Sequence, residues 1–146
     1  MVRRAMNDTS QESAALNREY AGDPATLRSA RHDVVDWLNQ HQADRDTIEQ
    51  ASLIVSELAS NAIQASPGIS YQLRLVIVGD DFAELSITNR TSGTYPPSRG
   101  NRRLADASAL RGRGLSIVDS LSDEVTIETI ADDVVVTARF RVVQSP

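Results

Sequence analysis

Apolar positions fall into two regimes along the chain, and their spacing alone predicts most of the elements. Leu27, Ala30, Val34, Trp37 and Leu38 recur at helical spacing behind Asp23-Pro24, a capping side chain followed by proline at the first helical position. After a turn near Gln42, a second helix starts near Asp44 or Asp46. It carries one stripe of Ile48, Ala51, Val55, Leu58 and Ala62, and Ser66-Pro67-Gly68 ends it.

The period then drops to two. Tyr71, Leu73, Leu75 and Ile77 alternate with Gln72 and Arg74. Gly79-Asp80-Asp81 makes a turn, and Ala83, Leu85 and Ile87 alternate with Glu84, Ser86 and Thr88. Val125 and Ile127 lead through Ala131-Asp132-Asp133 into Val134, Val136, Ala138 and Phe140. These are two hairpins with one apolar face each, as an antiparallel sheet covered on one side requires. Leu16 to Ala21 reads as a short edge strand and Leu115 to Leu121 as a short helix. Arg90 to Ala109, rich in Ser, Gly, Pro and Arg, reads as a long loop. The fold class expected is an α/β (α+β) two-layer sandwich. Residues 1–13 are polar and read as a disordered tail, with residues 14–146 forming the domain.

Composition narrows the chemistry. The net charge of −5 argues against a general nucleic-acid surface, which needs excess positive charge. There is no cysteine, so neither a disulfide nor a thiolate metal site is possible. No signal peptide and no apolar run of bilayer length is visible, so a cytoplasmic protein is expected. All fifteen basic residues are arginine, and Arg99, Arg102, Arg103, Arg111 and Arg113 are clustered. One reading is a solvated loop; the other is a basic lid over an anion, because guanidinium binds phosphate oxygens in pairs.

Glu57 and Asn61 lie one helical turn apart, about a quarter turn from the centre of the apolar stripe, where a cleft residue belongs. Asn61 can offer Mg²⁺ a neutral oxygen, and Glu57 can orient or deprotonate a hydroxyl. Gly112 and Gly114 let backbone N–H groups approach an anion at the start of a helix. Each signal alone has a bland counterpart, a surface pair or a turn.

In order and context they resemble the GHKL ATPase superfamily, and within it the small serine-kinase anti-sigma factors. IVSELASNAIQAS (Ile54 to Ser66) is similar to that family's N box, and GRGLSIVDSLSDEVTIE (Gly112 to Glu128) to its second glycine box and the following strand. The resemblance implies a Bergerat-type ATP-binding fold with ATP and Mg²⁺ as cofactors. It implies Asn61 as metal ligand and Glu57 as catalytic base. Gly112 and Gly114 would lie beside the triphosphate, with Arg111, Arg113 and Leu115 as neighbours in the same segment. The first glycine box departs from the family's Asp-x-Gly-x-Gly. Asn89 stands for the aspartate that accepts the adenine amino group, Thr91 for the first glycine, and only Gly93 is retained. Asn89 continues the inward alternation of its strand; its amide can present either an acceptor oxygen or a donor NH₂.

The resemblance implies a cytoplasmic regulator that sequesters a sigma factor and phosphorylates a serine of an anti-anti-sigma partner; members of that family are often homodimers, and no surface read from this sequence decides the assembly. The alternative is a non-catalytic protein-binding regulator on the same fold. A sensor-kinase ATPase half ranks third, because the region before Asp23 is too short for a phosphoacceptor helix pair.

Overall fold

The computed structural model describes residues 15–90, 101–102 and 113–146. The tail expected over residues 1–13 lies outside them. In chain order the elements are β1 (Leu16–Tyr20), a 3₁₀ turn (Pro24–Thr26), α1 (Leu27–Gln40), α2 (Arg45–Ala65), β2 (Tyr71–Val78), β3 (Phe82–Arg90), β4 (Asn101–Arg102), α3 (Arg113–Leu121), β5 (Glu124–Ile130) and β6 (Asp133–Arg141). The strands form one antiparallel sheet in the order β1-β2-β3-β6-β5-β4.

Helix boundaries follow from local chemistry. Asp23 caps the 3₁₀ turn by accepting from Ala25 N at 2.9 Å, and α1 continues from Leu27. Asp44 caps α2 by accepting from Thr47 N at 2.9 Å. Past Ser66, Gly68 turns the chain with φ +81°, which a side chain would oppose.

The core lies between the sheet's inner face and the helices. Leu73, Leu75, Leu85, Ile87 and Phe140 from the strands meet Val34 and Leu38 of α1 and Ile54, Val55 and Leu58 of α2, all essentially inaccessible. Burying each such side chain is worth about 1.5–3 kcal/mol. The outer face keeps the polar alternation. There Ser86 and Thr137 share a hydrogen bond of 2.9 Å across β3 and β6, so Thr137 lies away from the helix layer.

Three details depart from the sequence pattern. Arg90 belongs to β3 and not to the loop: it pairs in register with Asp133 and forms an ion pair with it at 3.5 Å. The strand runs on because β6 offers a partner as far as Asp133, a constraint no local propensity expresses. Asn101 and Arg102, inside the stretch read as loop, pair with Glu128 and Ile127 and cover the outer edge of β5. The second hairpin turns on two residues only, Ala131 and Asp132, with Ala131 at φ +55°; Asp133 already pairs with Ile130.

Candidate functional site

At 100° per residue, Gln50, Glu57 and Asn61 fall within about 40° of one another on α2. Gln50 shows what that face meets: its side-chain amide donates to the carbonyl of Leu121, the last residue of α3. Val118 anchors α3 in the core. α2 packs on α3, and Glu57 and Asn61 lie on the face that carries Gln50, about two and three turns further along the helix. Both are half-buried, the border position their spacing predicts.

Asn61 is the atom-level anomaly of this face. Its Nδ2 is buried and has no hydrogen-bond partner among the described residues. An amide buried without a partner costs about 1–3 kcal/mol, and native folds rarely leave one. Nitrogen and oxygen of a side-chain amide exchange by a simple flip, so Asn61 can direct either atom at a ligand. Among the described residues no cluster of three or more His, Asp or Glu could hold a metal ion. A site that draws one neutral oxygen from protein and the rest from phosphate and water suits Mg²⁺, which keeps several waters. The Asn61 position therefore fits that ion.

A second polar cluster sits where α2 ends. Asn89 is only 3 % exposed and lies on the inner face of β3, between Tyr71 and Val134 in register. Its Nδ2 donates to Ser66 Oγ at 3.4 Å, and Ser66 Oγ donates to the Arg90 carbonyl at 2.7 Å. Ser66 is 1 % exposed. It lies five residues beyond Asn61, about 7.5 Å further along the helix direction. The sequence marks Ser66 as a helix stop and as the last residue of the N-box likeness, and singles out nothing at Gln50. A serine in a helix-ending Ser-Pro-Gly gives no sign that its hydroxyl will be buried against a strand.

The turn beside this cluster is held from below. Gly68 N donates to the Gly22 carbonyl at 2.8 Å, and a Cβ on Gly22 would stand 2.2 Å from the Ile69 oxygen. Tyr71 stacks on Tyr20 at 5.5 Å between centroids, and Tyr20 donates to Asp33 at 2.5 Å. Burial first, then the bond to Asp33, push the Tyr20 hydroxyl's pKa up, which keeps it a neutral donor.

Of the other residues singled out by sequence, Arg113, Gly114 and Leu115 form the first turn of α3. The helix starts two residues earlier than its apolar pattern indicates and takes in both Arg113 and Gly114. Gly93, Arg111 and Gly112 lie outside the described residues, as do Arg99 and Arg103.

The antiparallel sheet, the covering helices and the polar face of α2 define the class. Residues 20–140 match the family described as the histidine kinase-like ATPase domain, and the chain belongs to it. No functionally curated protein matches the sequence. Among solved structures, the chain is similar to one holding the RsbU and RsbW domains of Rv1364c from Mycobacterium tuberculosis. The TM-score is 0.64 and the identity 19 %, over 90 % of this chain and 34 % of that one. This chain thus spans about a third of that protein. It is also similar to a chain in the SiaB-SiaC complex from Pseudomonas aeruginosa, with TM-score 0.58 and 15 % identity, over 94 % of this chain and 96 % of that one. Likeness at these identities concerns the fold. Among the described residues no helix is long and apolar enough to cross a membrane.

Proposed function

We propose that this domain binds ATP·Mg²⁺ between α2 and the start of α3, and acts as an anti-sigma regulator that phosphorylates a serine of an anti-anti-sigma partner. The observation that carries the nucleotide part is Asn61, half-buried on the same face of α2 as Glu57, with a buried amide nitrogen that has no partner among the described residues. The regulatory part is supported by the likeness of residues 54–66 and 112–128 to the anti-sigma kinases and by membership of the ATPase family.

In this reading Asn61 turns its amide oxygen to the metal, and the first backbone N–H groups of α3, at Arg113, Gly114 and Leu115, hold phosphate oxygens at the positive end of the helix. Arg111 and Arg113 add counter-charge, and Gly93 and Gly112 are the glycines of the two boxes that would leave room for the phosphates. Asn89 accepts the purine amino group on the inner face of β3. Mg²⁺ supplies charge neutralisation on the transferring phosphoryl group. Glu57 takes the proton of the acceptor serine as its oxygen bonds to the γ-phosphorus and the bond to the β-phosphate oxygen breaks, leaving ADP.

Titration calorimetry with ATP, with and without Mg²⁺, tests the binding; transfer of labelled phosphate to candidate antagonist proteins tests the activity. Magnesium-dependent binding with transfer abolished in Glu57→Ala is the expected result. A second reading keeps the fold and drops the chemistry: a regulator working by protein contact alone. Asn89 in place of a charged acceptor favours it, since a bond to a neutral acceptor is worth about 1 kcal/mol against about 1.5–3 for a charged one. Sigma binding with no nucleotide binding would select that reading.

A further inference from the structure

We infer that Ser66 is a positioning residue that locks the Asn89 amide with its oxygen toward the nucleotide, so that the site takes a 6-amino purine and refuses a 6-oxo purine. The inference rests on the nucleotide-binding reading above and specifies its base.

A serine hydroxyl has one proton to give. That of Ser66 goes to the Arg90 carbonyl at 2.7 Å, so toward Asn89 the oxygen can only accept. The Asn89 group 3.4 Å away must then be NH₂, because the flipped amide would set oxygen against oxygen. Rotating the Ser66 proton toward Asn89 would strip the Arg90 carbonyl of this bond. Both side chains are almost fully buried, which makes an unmatched pair expensive. The end of the amide facing away from Ser66 is therefore the acceptor oxygen. An isolated asparagine reads donors and acceptors alike; one clamped in this way reads only donors. The serine thus recovers, with a neutral side chain, the polarity that a carboxylate would impose at position 89.

The test is titration of the full chain with Mg²⁺ and either ATP or inosine triphosphate, which replaces the 6-amino group by a 6-oxo group. The wild type should prefer ATP by at least about tenfold. Ser66→Ala should bring the two affinities within about threefold, and Ser66→Thr, which keeps the hydroxyl, should restore the preference. If Ser66→Ala fails to fold, Ser66→Cys, a weak acceptor of similar size, takes its place. A merely structural role for Ser66 would lower both affinities together and leave their ratio unchanged, which would overturn the inference. Equal wild-type affinity for the two nucleotides would overturn it while leaving nucleotide binding standing. Binding of neither would remove the nucleotide-binding reading itself.

Discussion

Two asparagines of this domain carry buried side-chain nitrogens, and their amides are treated in opposite ways. Asn61, near the C-terminal end of α2, has a buried nitrogen that no described residue satisfies. Asn89, on the sheet, has its nitrogen engaged by a serine whose own proton is already committed. In the proposed site the first amide would meet a ligand whose oxygens and waters arrange themselves around it. The second is fixed before any ligand arrives, suited to a rigid base edge. The same side chain gives an adaptable contact or a discriminating one, according to whether a neighbour has used up its freedom. Pre-orientation of the second kind lowers the cost of binding.

The largest effect expected is on the adaptable end. Glu57→Ala should cut phosphoryl transfer by at least about 10²-fold, the usual contribution of a general base, while ATP affinity stays within about threefold. Transfer at the wild-type rate, measured with a labelled γ-phosphate, would take Glu57 out of the chemistry. Next comes Asn61→Ala. Loss of an oxygen bound to a charged partner should weaken Mg²⁺-dependent ATP affinity by about 10–100-fold. Because the amide nitrogen lacks a partner among the described residues, the ligand-free protein should lose little stability, under about 1 kcal/mol by denaturant titration. A large loss of stability with unchanged affinity would make Asn61 a structural residue and dissolve the contrast.

The clamped end is expected to be sensitive to backbone placement instead. In Gly22→Ala the new Cβ would lie 2.2 Å from the Ile69 oxygen, so the turn carrying Gly68 and Ile69 must move. Overpacking of this kind costs about 1–3 kcal/mol. The displaced turn follows directly on Ser66, so selectivity for ATP over inosine triphosphate should fall with it, whereas the effect of Mg²⁺ on affinity should not. Loss of magnesium dependence in this variant would show that the two ends are not separable.

The sequence exposes these two ends unequally. The helix-period stripe on α2 places Glu57 and Asn61 at the border of the core, and both stand there half-buried. The alternation along β3 likewise turns Asn89 inward, where it is buried. The hairpins, the caps at Asp23 and Asp44 and the stop at Ser66 follow from local rules. What local rules miss is set by distant pairing. Arg90 reads as loop until Asp133 offers it a strand, and Asn101 and Arg102 carry no strand signal beyond the edge they cover. Ser66 is the clearest case. Its residue type predicts the end of a helix, but its part in the Asn89 network depends on a carbonyl 24 residues away being brought within 2.7 Å.

The smallest effect is the one that bears most closely on the contrast. Asn89→Asp replaces a clamped neutral amide by a carboxylate, an acceptor whichever way it turns. Toward ATP the gain should be about 1 kcal/mol, roughly fivefold, as a charged acceptor takes over from a neutral one. The gain is limited at the source. The carboxylate has no NH₂ for Ser66 Oγ, so the serine proton must leave the Arg90 carbonyl and turn to position 89, costing part of the bond now seen at 2.7 Å. Affinity for inosine triphosphate should not rise, since its 6-oxo group would meet a negative charge. Calorimetry with both nucleotides reads the outcome directly. A looser ATP complex in Asn89→Asp would mean that position 89 supplies a donor to its ligand, and the orientation imposed by Ser66 would then serve something other than a purine amino group.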